Sequence, residues 1–266
     1  MGGCGAACAH ATGGISRRQA LRLIGVTAAA PALAGCDQVA SLLVPEGVLE
    51  EMGRETWARL VQRMPPSRDP AAHALADRVS LRLLEAADER PADWEVRVFA
   101  DPGVNAFVLP GRRIGILEGM IRVSRGEGGL AAVVGHEIGH LEANHAQERA
   151  AVDVARHVAL QMISFLLQVN EVAFANEIAA ALGVGAEFGL VRPYGRAQEL
   201  EADRLGVFMM ARAGYDPIDA AELWTRMDVI SQGGPPAILS THPAPRARID
   251  AILDTIPAAR AAAAIR

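Results

Sequence analysis

Lysine is absent from this chain of 266 residues: all 26 basic side chains are arginine. With so much alanine and glycine, that bias reads as the coding of a GC-rich genome rather than a functional choice. Cysteine is nearly absent too, occurring only at Cys4, Cys8 and Cys36. A disulfide-stapled fold and a cysteine nucleophile in the main body are therefore excluded, and a metal there must be held by His, Asp or Glu. The net charge is −5, and no basic run is interleaved with aromatics. That excludes a nucleic-acid partner. The apolar stretch Leu23 to Ala34 is too short, and too rich in Ala and Gly, to span a membrane.

What is present begins with an address. Arg17-Arg18 precedes that apolar stretch, which ends in Leu33-Ala34-Gly35-Cys36. The pattern resembles a twin-arginine export signal closed by a bacterial lipobox. Residues 1–35 are expected to be a cleaved signal, Cys36 to carry acyl chains, and residues 36–50 to tether the lipidated end. The protein is then expected in the cell envelope, on the periplasmic side, held to a membrane by lipid. Asp37, directly after the lipidated position, slightly favours the inner membrane.

The whole chain is 51% hydrophobic and 21% charged, which suits one globular domain, expected over residues 51–266. Apolar spacing predicts helices over Glu50–Met64 and Ala71–Glu89, separated by the breaker Pro65-Pro66. Alternation predicts a strand over Trp94–Phe99, then a hairpin whose arms, Asn105–Leu109 and Arg112–Leu117, flank Pro110-Gly111. From Gly119 onward the chain reads as mostly helical. Val154–Val169, apolar but interrupted by polar residues, is expected as a buried or groove-lining helix. Ala173–Leu190 is small and apolar. The expected class is α+β, predominantly helical, with a small antiparallel sheet beside the helix that carries the motif below.

That motif is Gly135-His136-Glu137-Ile138-Gly139-His140. Residues i and i+4 share one helix face, so His136 and His140 can hold one ion. Zinc accepts imidazole nitrogen, and a catalytic site keeps a position open for water. Glu137 stands beside that water as its base. A metzincin would carry a third His six residues after the second, with Gly midway, but positions 146 and 143 are both Ala. A Glu about twenty residues on, as in thermolysin-like sites, is missing as well: residues 154–170 contain no acid. The next strong candidates are the clustered acids Glu199, Glu201 and Asp203. Glu199 and Asp203 lie i, i+4 on a predicted helix, so one can bind the metal while the other orients a ligand histidine.

Together these segments resemble the HtpX, LoiP and BepA family of metallopeptidases, relatives of the CAAX prenyl protease (peptidase family forty-eight). Asn105-Ala106-Phe107-Val108-Leu109-Pro110-Gly111 is similar to that family's NAFxLPG hairpin. Pro193-Tyr194-Gly195-Arg196 is similar to its PYSR segment, Ala213-Gly214-Tyr215-Asp216-Pro217 to its AGYDP turn, and Thr241-His242-Pro243 with Arg248-Ile249 to its THP…RI ending. Gly195 in place of Ser, and Arg112-Arg113 after the Pro-Gly turn, depart from the pattern and bear on substrate preference. The resemblance covers about Gly53 to Ile252 and implies a zincin-like domain holding one Zn2+.

By that resemblance Glu199 is the third ligand, with Glu201 its competitor because spacing does not decide between them. Asp203 is the acid behind the ligands. His242 lies near the metal, either capping it or stabilising an oxyanion. Asn105, Ala106 and Phe107 offer an edge strand to unfolded or misassembled polypeptide. The layout is closest to that of LoiP.

Overall fold

The protein is described by a computed structural model that covers residues 36–169, 178, 180–183, 192–231, 238–239, 242 and 246–265. The expected export signal, residues 1–35, lies outside these residues, as does most of Ala173–Leu190.

Helix α1 spans Cys36–Leu43 and α2 spans Glu46–Arg63, ending before Pro65. Residues 36–50, expected as a tether, are therefore mostly helical, and Ala40 and Val44 are buried in a small cluster with Ala151. Helix α3, Pro70–Ala86, is started by Asp69, whose carboxylate accepts from the Ala71 N–H at 2.8 Å, with Pro70 at its first position. Its buried residues Ala72, Ala76, Val79 and Leu83 recur at helical spacing and form the face laid on the core.

Three strands follow: β1 (Glu95–Phe99), β2 (Ala106–Leu109) and β3 (Arg113–Leu117), in the order β1-β3-β2. The hairpin pairs as expected, with Phe107 opposite Gly115 and Val108 opposite Ile114. The sheet is mixed rather than purely antiparallel, because β1 joins the other side of β3 in parallel, Val96 opposite Ile114. The long 100–105 connection carries the chain past β3 before β2 begins, which leaves β2 as a free edge among the described residues. Gly115 is required beneath the Phe107 ring, since a Cβ there would stand 2.3 Å from it.

The rest is helical: α4 (Glu118–Ser124), α5 (Glu127–Glu142), α6 (His145–Val169), α7 (Arg192–Arg212), α8 (Ile218–Ser231) and α9 (Arg246–Ala263). Helix α5 is the centre of the molecule. Every residue from Gly129 to His140 is buried, packed on α3, β2, α7 and α8. Helix α9 closes over α7.

Helix α6, expected to be buried or to line a groove, buries only His145 and Ala151. Val154, Val158, Met162, Phe165 and Val169 are 41 to 63% exposed and recur every three or four residues, forming one outward apolar stripe. The helix is long and apolar enough to cross a membrane by length and composition. Periodicity revealed that α6 has an apolar face; it carries no information on what lies against that face.

Candidate metal centre

The site is built where α5 and α7 cross. Gly135 and Gly139 of α5 face Ala202 and Gly206 of α7, and the missing side chains let the two backbones touch. A Cβ on Gly206 would lie 2.9 Å from the Gly135 carbonyl carbon and from the His136 nitrogen. This close approach brings His136 and His140 over Glu199, and His242 enters from the chain before α9.

The four side chains are buried, and their ligand atoms lie within 4.8 Å of one another. His136 Nε2 is 3.1 Å from His140 Nε2, 3.2 Å from His242 Nδ1 and 3.3 Å from Glu199 Oε2. His140 Nε2 is 3.3 Å from Glu199 Oε1, and His242 Nδ1 is 3.0 Å from Glu199 Oε2. A tetrahedral ion with bonds of about 2.05 Å has ligand–ligand edges of about 3.3 Å. The donor set and its spacing therefore fit one ion. Three imidazole nitrogens turned inward on a single carboxylate are otherwise hard to satisfy.

The surrounding groups set the charges. His136 Nδ1 is 2.9 Å from Asp203 Oδ1. Burial opposes its protonation, but Asp203 and Glu199 outweigh burial and push its pKa up to about 9 among the protein groups alone. Burial dominates at His140 and pushes it down to about 3. Glu199 is held well below the ordinary carboxylate range: burial would raise it, but hydrogen bonds from His136, His140 and His242 prevail. Asp203 is lowered against its own burial by His136 and by Arg248, which grips it with two bonds of 2.7 Å. Arg248 Nη1 also lies 3.1 Å from Glu199, and its guanidinium stacks 4.1 Å over Trp224.

Glu137 is buried on the cleft side of α5. Its Oε2 accepts from the Val108 N–H at 3.3 Å. Its Oε1 makes no hydrogen bond among the described residues and stands 3.4 Å from His242 Nε2. A buried carboxylate oxygen with no hydrogen bond suits a base awaiting a water.

The edge strand borders this oxygen. The Asn105 carbonyl accepts from the Leu117 N–H at 3.0 Å, so by antiparallel alternation Ala106 and Val108 turn their main-chain groups away from β3. They face a cleft of about 260 Å³ that is also lined by Asn105, Glu137, Arg149 and His242. The Phe107 ring packs against Trp57 and Phe99 with centroids 6.4 Å away from each.

Of the residues singled out from sequence, the fold brings together His136, Glu137, His140, Glu199, Asp203 and His242, with Asn105 and Ala106 along the rim. Glu201 points away from the ligand cluster, its side chain 61% exposed. Cys36 begins α1, and its side chain lies outside the described residues, as do Thr241 and Pro243 beside His242. Sequence reasoning missed Val108, Trp224 and Arg149. Arg149 Nη2 lies 3.2 Å from Glu199 and its Nε donates to Gln198 at 2.6 Å. Only its position one helical turn after His145 offered a hint.

Helix-borne HExxH histidines, a carboxylate from a second helix and a free strand edge together define a zincin-like metallopeptidase site. Residues 66–256 match the model of peptidase family M48, and the chain belongs to that family. It is similar to mitochondrial metalloendopeptidase OMA1 of Schizosaccharomyces pombe, 34% identical over 222 residues, covering 83% of this chain and 63% of the relative. It is also similar to metalloendopeptidase OMA1 of Homo sapiens, 28% identical over 80% of this chain and 42% of the relative. A third relative is the beta-barrel assembly-enhancing protease of Escherichia coli strain K12, 28% identical over 75% of this chain and 42% of the relative. The chain thus spans between about two fifths and five eighths of these relatives' lengths.

Proposed function

We propose that the protein is a zinc-dependent endopeptidase in which His136, His140 and Glu199 hold the ion and Glu137 is the general base. The observation that carries this reading is the cluster of four candidate ligands with a Glu137 oxygen beside it that makes no hydrogen bond among the described residues. A zinc ion there would supply the Lewis acid that makes water nucleophilic near neutral pH. Asp203 holds His136 in the tautomer that presents Nε2 to the ion, and Arg248 holds Asp203. Glu137 takes the proton of the attacking water and returns it to the leaving amine.

The outward groups of Ala106 and Val108 can pair with an extended substrate, which favours unfolded or misassembled polypeptide in the cell envelope. Replacing Glu137 by Gln should abolish casein cleavage while zinc stays bound. Unchanged, chelator-resistant cleavage by that variant would sink the proposal.

A second reading has one specific observation behind it: His242 Nδ1 already sits at ligand distance from the other groups. With His242 as fourth ligand the open position is closed, and the protein is a latent, chaperone-like zinc lipoprotein. Robust cleavage by the purified protein, with no His242 nitrogen on the metal, would reject it.

Within the family we place the protein among lipoproteins of the LoiP kind, on the strength of Leu33-Ala34-Gly35-Cys36. Helix α1, which starts at Cys36, packs against α6, and the apolar stripe of α6 adds surface suited to a lipid face. Cys36→Ser should abolish radiolabelled palmitate incorporation. Labelling that persists would refute the anchor.

A further inference from the structure

His136 is oriented by the buried Asp203–Arg248 pair, which raises the matter of what orients the other helical ligand, His140. Among the described residues its Nδ1 meets another imidazole rather than a carboxylate. That nitrogen lies 2.8 Å from His145 Nδ1, and the two rings meet edge-on with centroids 4.9 Å apart. His145 is 1% exposed, and its other nitrogen, Nε2, is 3.4 Å from Glu201 Oε2. The arrangement is produced by the turn between α5 and α6. Asn144 takes a left-handed conformation (φ 55°) and its carbonyl accepts from the N–H groups of Gln147 and Glu148. The first residue of α6 is thereby folded back against the last turn of α5.

The order of donors along this line is fixed by chemistry. A carboxylate offers acceptors only, so Glu201 requires the proton on His145 Nε2. In a neutral His145, Nδ1 is then the acceptor, and the short contact requires the proton of His140 to be on Nδ1. His140 Nε2 is left with its lone pair turned toward His136, Glu199 and His242. The reverse order would put an N–H on His140 Nε2, aimed into the ligand cluster, and would forbid metal binding there.

We propose that His145 is a positioning residue for the metal: it fixes the tautomer and ring orientation of His140, and Glu201 in turn fixes His145. The two acids left over in the Glu199–Asp203 segment thus serve one ligand histidine each, Asp203 directly and Glu201 through His145. The inference rests on the metallopeptidase reading for the identity of the ion, and on the site's own geometry for the relay.

The experiment uses the full-length chain and measures zinc affinity by competition with a chelator of known strength. Loss of such an outer partner costs roughly 10- to 100-fold in metal affinity. His145→Leu, which keeps most of the volume but removes the acceptor, should show that loss. His145→Asn, which places an amide oxygen near the position of Nδ1, should restore affinity to within about threefold of the parent. Glu201→Ala should weaken zinc several-fold, and adding it to His145→Leu should cost little more, because the two act in series.

In the unsubstituted zinc-free protein, nitrogen-15 NMR should find the proton of His140 on Nδ1. A packing role would reverse the order, with His145→Leu near parental and His145→Asn impaired, and would overturn the inference. Additive losses for His145→Leu and Glu201→Ala, or a proton on His140 Nε2, would overturn it as well. If the unsubstituted chain binds no zinc, the metallopeptidase reading itself fails. If it binds zinc while both His145 variants bind equally well, only the relay fails.

Discussion

Gly206→Ala is the most direct test of how the centre is built. The new Cβ would stand 2.9 Å from two backbone atoms of α5, where ordinary contact begins at 3.4 Å. The shortfall is about half an ångström, and neither neighbour is a flexible side chain, so the helices themselves must separate. Overpacking of this kind costs about 1–3 kcal/mol, against which Ala recovers up to about 1 kcal/mol of helix propensity. The expected net effect on the zinc-free protein is a loss of about 0–2 kcal/mol in urea unfolding. The effect on metal binding should be larger. One of the displaced atoms is the His136 nitrogen, and metal–ligand distances tolerate only about 0.2 Å. Zinc affinity should therefore fall at least about tenfold. Gly195→Ala, on the same helix but with nothing within 4 Å of its Cβ, is the control. It should gain up to about 1 kcal/mol and leave zinc affinity unchanged. If Gly206→Ala behaved like Gly195→Ala in both measurements, the glycine crossing would not be what sets the ligand geometry.

Two further substitutions test the surroundings. Val108→Pro removes an N–H that points away from β3 and donates to Glu137, so the hairpin should survive while kcat/KM for peptide substrates falls at least about tenfold, the value of one lost hydrogen bond. An unchanged kcat/KM in steady-state cleavage would remove the Val108 N–H from the site's working parts. Arg248→Met leaves Asp203 buried without its guanidinium and Glu199 with that of Arg149 alone, and the zinc-free protein should lose about 3–5 kcal/mol in urea unfolding. A smaller cost than about 1 kcal/mol would show that His136 and Arg149 suffice to neutralise the pair.

The parts of this centre legible in the sequence are those written within one helix. His136, Glu137 and His140 declare themselves because the 3.6-residue repeat places them on neighbouring positions of one face. The same repeat relates Glu199 to Asp203 and turns Glu201 to the opposite side of α7, but nothing within α7 tells which side meets α5. That choice is made by Gly206 and Ala202, whose importance appears only once Gly135 and Gly139 lie against them. His242 and Arg248 join across more than forty residues from Glu199, a separation at which spacing is silent and only the resemblance spoke. The parallel pairing of β1 on β3 was equally invisible, since alternation marks strands and not their neighbours. That α6 is exposed rather than buried is not legible either, because an apolar face and a covered face look alike in one dimension.

The position of Arg248 has a consequence for the order in which the molecule becomes competent. The chain emerges from its N-terminus, so the HExxH helix is made more than a hundred residues before the arginine that neutralises Asp203 and Glu199. Until α9 has packed, Asp203 lacks the guanidinium that grips it and Glu199 keeps only that of Arg149. A partly synthesised or C-terminally clipped chain therefore holds the ligands without the charge balance that keeps them in place. Helix α9 thus adds, after the HExxH helix has been made, the cation that balances the acids behind it.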